Sequence, residues 1–121
     1  MDPSHKALSG KIRQVIKAVE SGSIAFIQQD MIAADLLELG CEIDKVPDIL
    51  LELLKVITPS QYVGTRPPQR SYEKEILGCE LYAFKVESRS MGCTIYFKFT
   101  MDENFLWITS LHKDRSGEKE K

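Results

Sequence analysis

The chain has 121 residues, of which 43% are hydrophobic and 28% charged, and these values are typical of one globular domain with its own core. Its net charge of −2 argues against nucleic-acid binding through overall positive charge, so any basic site has to be local. No apolar stretch approaches the roughly 18 residues that a membrane span needs, and the first residues do not have the pattern of a signal segment. We therefore expect a cytoplasmic protein with a single domain over 1–121, a core over 9–115 and a charged tail at 116–121.

The cysteines and histidines are too scattered to predict a metal site or a disulfide framework. Cys41, Cys79 and Cys93 are odd in number and have no CxxC spacing, and His5 and His112 lie near opposite ends of the chain. We expect the cysteines to be reduced, small apolar residues, most of them buried. The motifs of ATP hydrolysis, dinucleotide chemistry, zinc proteolysis and α/β-hydrolases do not occur either, and we expect neither a metal nor a small-molecule cofactor.

Apolar residues at helical spacing predict three helices in the first half of the chain. The first is expected over 9–22, with Ser9 as its N-cap residue, and the second over 28–39. A third begins near 44–47 and ends before the Thr58-Pro59 pair. The apolar residues of 24–27 are interpreted as an extended link. The second helix is predicted to bury one apolar arc, made of Ile32, Ala33, Leu36, Leu37 and Leu39.

The second half of the chain predicts a long polar crossing followed by strands. Residues 58–75 contain two adjacent prolines together with Arg66 and Arg70, and a connection of this length is either functional or an ordinary connector. Alternation predicts a strand over 76–87 and then a hairpin of 93–101 and 105–112. Because the helices come first and the strands follow, we predict an α+β fold, with three N-terminal helices packed on a C-terminal antiparallel sheet of three or more strands.

The strand over 93–101 is predicted to separate a core face from a polar face. Phe97 and Phe99 fall on the first face at a period of two, whereas Tyr96 and Lys98 fall on the second. On the following strand, Ser110 and His112 share a face near the end. Lys113 and Arg115 follow where this strand ends. A phenol, an ammonium, an imidazole and a guanidinium are therefore expected to converge on one side of a small sheet.

This set of side chains suits RNA better than other substrates. Cleavage of RNA by its own 2′-hydroxyl requires a base, cations that stabilise the charged phosphorane, and an acid for the 5′-oxygen. The imidazole of His112 is the best acid or base candidate because histidine is the residue type whose unperturbed pKa lies near neutral pH. The candidate catalytic residues are Tyr96, Lys98, His112 and Lys113. The candidate RNA-binding residues are Arg66, Arg70 and Arg115. Each of them has the alternative of being an ordinary surface residue.

Four short stretches resemble the MqsR-type toxins of the RelE superfamily, and the similarity spans residues 11–115. The stretches are Val19-Glu-Ser-Gly22, Ala33-Ala-Asp-Leu-Leu-Glu-Leu-Gly40, Ile95-Tyr-Phe-Lys-Phe99 and Ile108-Thr-Ser-Leu-His112. Such toxins are small mRNA interferases of bacterial type II toxin-antitoxin pairs. The resemblance implies a RelE-like fold, an mRNA substrate and a cognate antitoxin as partner. It matches Tyr96 to the family's strand tyrosine, Lys98 to the nearby basic residue, and His112 or Lys113 to the basic residue after the last strand.

Two departures from that family keep a second hypothesis open. These toxins typically carry an aromatic residue followed by Lys-Ser-Met after the third helix, whereas residues 61–64 read Gln-Tyr-Val-Gly and contain no lysine. The family's Trp-Gln-Asp-Val-Tyr block has no counterpart in 71–80. The alternative to a metal-independent endoribonuclease is therefore a non-catalytic interaction module of similar fold that binds a protein or a nucleic acid.

Overall fold

The computed structural model describes residues 4–115, and the predicted charged tail at 116–121 lies outside this range. The described chain contains three α-helices and four strands. In chain order they are α1 (His5–Glu20), β1 (Ile24–Phe26), α2 (Gln29–Leu37), α3 (Val46–Leu54), β2 (Tyr82–Ser88), β3 (Cys93–Asp102) and β4 (Phe105–Lys113). The α+β class and the order of helices before most strands are confirmed. None of the helices within 4–115 has the length and apolar character to cross a membrane.

The sheet is mixed: its three C-terminal strands are antiparallel as predicted, but the prediction of an antiparallel sheet does not hold for β1. Its strand order is β1-β4-β3-β2, and β1 pairs in parallel with β4 while the other neighbours are antiparallel. Residues 24–27, interpreted from sequence as an extended link, supply β1. Three residues are too few to show a period, and their strand character depends on a partner about 80 positions away, with Ile24 opposite Leu106.

Helix α1 begins earlier than predicted. The side chain of Ser4, not Ser9, caps it by accepting a hydrogen bond from the backbone N–H of Ala7 at 3.0 Å. The earlier start adds a turn whose Leu8 is buried and extends the apolar stripe toward the N-terminus. Burial of Leu8 therefore determines which of the two serines caps the helix.

All three helices contribute to a single apolar core on one face of the sheet. Phe84, Phe97 and Phe99 lie at its centre with at most 1% of their surface exposed, and the ring of Phe99 stacks on those of the other two. Buried residues from α1, α2 and α3 belong to the same cluster. The face of β3 that was predicted to be core is confirmed as core.

Helix α2 buries less of its apolar surface than its sequence predicted. It ends at Leu37, and only Ile32 and Leu36 are fully buried, whereas 65% of Leu37 is exposed. The prediction that Leu37 belongs to the buried arc is wrong, because Leu37 lies about 100° around the helix axis from Leu36 and falls outside the narrow stripe that rests on the sheet. A short 3₁₀ turn at Ile43–Lys45 then leads into α3.

A β-bulge reverses the alternation of β4. Lys98 pairs with Ser110 but Phe99 pairs with Ile108, so Thr109 is an extra residue in β4. The bulge allows both Ile108 and Leu111, three positions apart, to point into the core. As a result, Ser110 and His112 lie on the face opposite to the helices.

Residues 69–81 fold over one part of the open face instead of crossing the surface loosely. The strand predicted from residue 76 begins at Tyr82, and Ile76 instead lies buried in a 3₁₀ turn, Lys74–Ile76. Ile76 packs with Ile27 and Leu81 in a second small apolar cluster. The rest of the open face, around Tyr96 and His112, is left outside this cover.

Candidate functional site

The strand register brings the main predicted site residues together on the open face. Tyr96 lies opposite His112, and Lys98 lies opposite Ser110 in the next pair of the same face. Successive pairs on one face of a strand are about 6 to 7 Å apart. A phenol, an imidazole, an ammonium and a hydroxyl therefore occupy four adjacent positions, whereas the guanidinium that was expected beside them does not join this group.

The rings of Tyr96 and His112 stack on one another. Their centroids are 5.2 Å apart and the ring planes are inclined by 22°. Burial raises the pKa of the Tyr96 hydroxyl. Tyr96 therefore stays protonated at neutral pH, and it can donate a hydrogen bond or stack against a base but does not serve as a general base.

The orientation of the His112 ring is fixed by the backbone beside it. Its Nδ1 lies 2.8 Å from the carbonyl oxygen of Lys113. Since a carbonyl oxygen only accepts hydrogen bonds, the hydrogen of the neutral ring belongs on Nδ1. Nε2 then carries the lone pair, and it is this atom that can take up a proton and later return it.

Lys98 lines a groove between the sheet and the cover formed by residues 69–81. The groove has a volume of about 260 Å³, and Arg70, on the cover, lines it together with Lys98, on the sheet. Ser110 and Glu73 also line the groove. Tyr72, also at this groove, is 89% exposed. Two cations and an exposed aromatic ring thus lie at one opening, an arrangement that can bind a phosphate and stack a nucleobase.

Hydrogen bonds hold the cover against the sheet. The Thr100 hydroxyl donates to the carbonyl oxygen of Glu80 at 2.6 Å, and the Leu81 N–H donates to the carbonyl oxygen of Gln69 at 2.7 Å. The Arg70 guanidinium donates to the carbonyl oxygen of Gly78 at 2.9 Å. This bond ties the Arg70 guanidinium to the cover, and no carboxylate of residues 4–115 forms an ion pair with it.

Three of the predicted site residues lie elsewhere. Lys113 pairs with Ile95, which places it on the helix-covered side of the sheet, at the rim. The Arg115 guanidinium contacts the α2 carboxylates of Asp35 at 2.8 Å and Glu38 at 3.6 Å. Arg66 stacks over a tyrosine ring beyond the edge of β2. Of the predicted set, the structure brings together Tyr96, Lys98, His112 and Arg70.

Sequence reasoning missed Lys85, Tyr72 and Glu73. Lys85 lies beside Tyr96 on the open face, and its ammonium is 3.4 Å from the Asp114 carboxylate. Its alternation in β2 was visible in the sequence, but its neighbours depend on the register. Tyr72 and Glu73 reach the groove only because residues 69–81 fold back, and no local pattern signals that fold.

The described residues contain no group of three His, Cys, Asp or Glu side chains arranged to hold a metal ion. Compared with known proteins, the chain matches no family model and no curated sequence. A functional hypothesis for this chain therefore depends on the geometry of the open face and on the resemblance of the short stretches described above.

Proposed function

We propose that this protein is a metal-independent endoribonuclease, the toxin of a bacterial type II toxin-antitoxin pair with a RelE-like fold, acting in the cytoplasm on mRNA. The observation that carries the proposal is the stacked Tyr96 and His112 pair with Lys98 in the adjacent position. These side chains offer the acid-base group, the hydrogen-bond donor and the cation that attack by a 2′-hydroxyl requires.

In the proposed reaction, His112 Nε2 takes the proton of the 2′-hydroxyl, whose oxygen attacks the adjacent phosphorus. The charge that develops on the phosphorane oxygens is stabilised by Lys98, and the protonated imidazole donates its proton to the departing 5′-oxygen. The bond from phosphorus to the 5′-oxygen breaks, and the products are a 2′,3′-cyclic phosphate and a free 5′-hydroxyl. Tyr96 holds the imidazole by stacking, while Arg70 and Tyr72 bind the flanking nucleotides.

The test is cleavage of a 5′-labelled mRNA by the purified chain in the presence of EDTA. We expect products ending in a 2′,3′-cyclic phosphate, and we expect His112→Ala to slow cleavage by about 10² to 10⁴, which is the usual contribution of general acid-base catalysis. His5→Ala is the matched control, because His5 is exposed at the start of α1, away from the open face. A requirement for metal, or parental cleavage by His112→Ala, would contradict this mechanism.

The non-catalytic module remains the second candidate, and one observation favours it. The segment 61–64 carries no basic residue where the resembling toxins have a lysine, and its Tyr62 is buried against the ring of Phe84 instead of facing a substrate. On this hypothesis the groove binds RNA or protein without cutting. Growth arrest on induction of the parent but not of His112→Ala, relieved by a co-expressed neighbouring gene product, supports the toxin instead.

A further inference from the structure

Helix α1 contains several positively charged side chains, and none of them belongs to the open face. Its sequence contains four cations, Lys6, Lys11, Arg13 and Lys17, and a single acidic residue at its last position, Glu20. The chain as a whole has a net charge of −2, so the positive charge of this helix is opposite in sign to that of the whole chain. Apolar residues on its other side are buried in the core, which fixes the direction in which the cations point.

Two of the cations outside the groove are held on neighbouring aromatic rings. The Lys11 ammonium lies 5.3 Å from the centroid of the Tyr82 ring, and the Arg66 guanidinium lies 4.8 Å from that of Tyr62. The two rings are themselves 6.4 Å apart. Burial, together with the Glu80 carboxylate, raises the pKa of Tyr82 to about 12, so this ring stays neutral beneath Lys11. The rings hold both charges in place without neutralising them.

Lys11 lines a shallow depression of about 510 Å³ together with Lys6 and Arg13, and Tyr82 forms part of its floor. We call Lys6, Lys11, Arg13 and Arg66 the α1 patch. None of these four side chains forms an ion pair with a carboxylate of residues 4–115. The Glu80 carboxylate accepts a hydrogen bond from the Tyr82 hydroxyl at 3.1 Å.

The loop of residues 62–70 connects the α1 patch to the groove. Its first residue bridges to Phe84 and its last, Arg70, bridges to Glu80, so both ends are pinned to the edge of β2. The two bridged positions, Glu80 and Phe84, are four residues apart, which corresponds to about 13 Å along an extended chain. Tyr82 faces the helices and its neighbour Ala83 pairs with Lys98 on the open face. The patch and the groove thus lie on opposite sides of the same short length of β2.

The start of this loop has one fixed conformation. The Tyr62 ring folds back over the loop, and its hydroxyl donates to the carbonyl oxygen of Thr65 at 2.5 Å. A Cβ at Gly64 would lie 2.6 Å from that hydroxyl, so a residue with a side chain does not fit there without a shift. Arg66 follows this turn and lies over the Tyr62 ring, so it extends the α1 patch onto the loop that leads to the groove.

We propose that the α1 patch binds the phosphates of a single RNA strand that leaves the groove and passes over the 62–70 loop. The inference rests on the proposed function of the groove, and it adds α1 to the RNA-binding surface. Three features favour RNA backbone over an acidic protein. The patch cations have no ion pair with a carboxylate of the described residues, Arg66 supplies a guanidinium suited to phosphate, and the patch is continuous with the groove around one strand edge.

The experiment measures binding of a fluorescein-labelled 12-nucleotide oligouridine by anisotropy. Its 2′-hydroxyls are methylated, so the strand cannot be cleaved by their attack. The patch variant is Lys11→Gln with Arg13→Gln, and the control is Lys17→Gln with Lys55→Gln, which removes the same charge from exposed positions outside the patch. A 4-nucleotide version of the probe is long enough to occupy the groove but too short to reach the α1 patch as well.

With the 12-nucleotide probe, we expect the patch variant to bind more weakly and to flatten the slope of log K against log salt by about 1.4, since each phosphate contact to a single strand contributes about 0.7. The control variant should retain the parental slope. With the 4-nucleotide probe, the patch variant should bind like the parent.

Different failures separate the two proposals. If Lys98→Ala weakens binding of the long probe but the patch variant does not, the α1 patch is wrong while the groove stands. If neither variant weakens it, both proposals are wrong. An equal loss with both probe lengths would make α1 a separate site and overturn the continuous path. An acidic peptide that binds as tightly and with the same dependence on the patch residues would overturn the assignment to RNA.

Discussion

The two faces of β3 show how one strand serves two purposes. On the face toward the helices, Ile95, Phe97 and Phe99 are almost fully buried, whereas Tyr96 and Lys98 on the other face are only partly covered. The first face gains its stability from apolar area removed from water. The second keeps polar groups side by side at the cost of leaving ring surface partly exposed. Substitutions on the two faces should therefore separate folding from function.

The largest effect is expected from Phe97→Ala. Phe97 has no exposed surface, and removal of a buried phenylalanine side chain typically costs about 3 to 5 kcal/mol of the free energy of unfolding. That is a large share of the roughly 5 to 15 kcal/mol available to a domain. Urea titration followed by circular dichroism measures it, with Tyr96→Ala as the comparison on the other face. An equal or larger loss for Tyr96→Ala would reverse our assignment of the faces.

On the open face, Lys98→Ala should slow RNA cleavage and leave the free energy of unfolding nearly unchanged. Loss of one group that stabilises transition-state charge commonly costs about 10² to 10³ in rate. Lys85→Ala removes the same charge from the same face, but the Lys85 ammonium already faces the Asp114 carboxylate, so we expect a much smaller loss. Single-turnover cleavage assays compare the two. Equal losses would mean that only the net charge of the face matters.

These two faces were predictable because they depend on residues adjacent in sequence. The alternation of Phe97 and Lys98 is visible at a period of two, and so is the hairpin that follows. The bulge at Thr109 was not predictable in the same way. A strictly alternating β4 would put Ser110 on the same side as Ile108, in the core, and only the burial of Leu111 three positions later reveals the extra residue.

The groove beside Lys98 was predictable only in part. Arg70 was selected because arginine in a long loop suits phosphate, and it does line the groove. The place of Arg70 beside this groove depends on the fold of residues 69–81 over a small apolar cluster, and the cluster joins Ile27 to Ile76 across about 50 positions of the chain. Contacts over such separations leave no local pattern in a sequence. The positive charge of α1 was visible in the sequence. Its place next to Tyr82 and Tyr62 at the edge of β2 depends on the fold and could not be predicted.

A smaller effect on stability is expected from Glu52→Gln, at the contact between α3 and the turn that joins β2 to β3. The Glu52 carboxylate accepts hydrogen bonds from the Ser90 hydroxyl at 2.6 Å, the Ser90 N–H at 3.2 Å and the Ser88 hydroxyl at 3.3 Å. These bonds, those from Ser90 first, hold the pKa of Glu52 below its ordinary value of 4.5. Glu52→Gln should cost about 1 kcal/mol at neutral pH, the usual net value of a hydrogen bond.

The difference in the free energy of unfolding between the parent and Glu52→Gln should depend on pH in a defined direction. A carboxylate whose pKa is lowered by folding stabilises the protein above its unfolded pKa and loses this contribution as pH falls through the folded pKa. The parent and Glu52→Gln should therefore converge in urea titrations below pH 4.5, the ordinary value for this group. Glu87→Gln, at an exposed position of β2, is the control and should show no such convergence. A difference that persists at low pH would exclude the carboxylate as its cause.

The smallest effect is expected from Arg115→Ala, which separates the end of β4 from α2. The Arg115 guanidinium is partly exposed, and exposed ion pairs contribute about 0.2 to 1 kcal/mol. Thermal unfolding at low and high salt measures the contribution, which should fall as salt screens the charges. RNA cleavage should stay at the parental rate, because this side chain faces α2 and not the groove. A cleavage defect in Arg115→Ala would show that the open face extends further than Tyr96 and His112.

The parallel pairing of β1 with β4 also determines when the open face can be completed during synthesis. The two strands are about 80 residues apart, with Ile24 opposite Leu106, and β4 lies between β1 and β3. At translation rates of about 5 to 20 residues per second, β1 waits about 4 to 16 s on the ribosome for its partner. Because β4 also carries His112, a nascent chain has no complete open face until this last strand has been made and has paired on both sides.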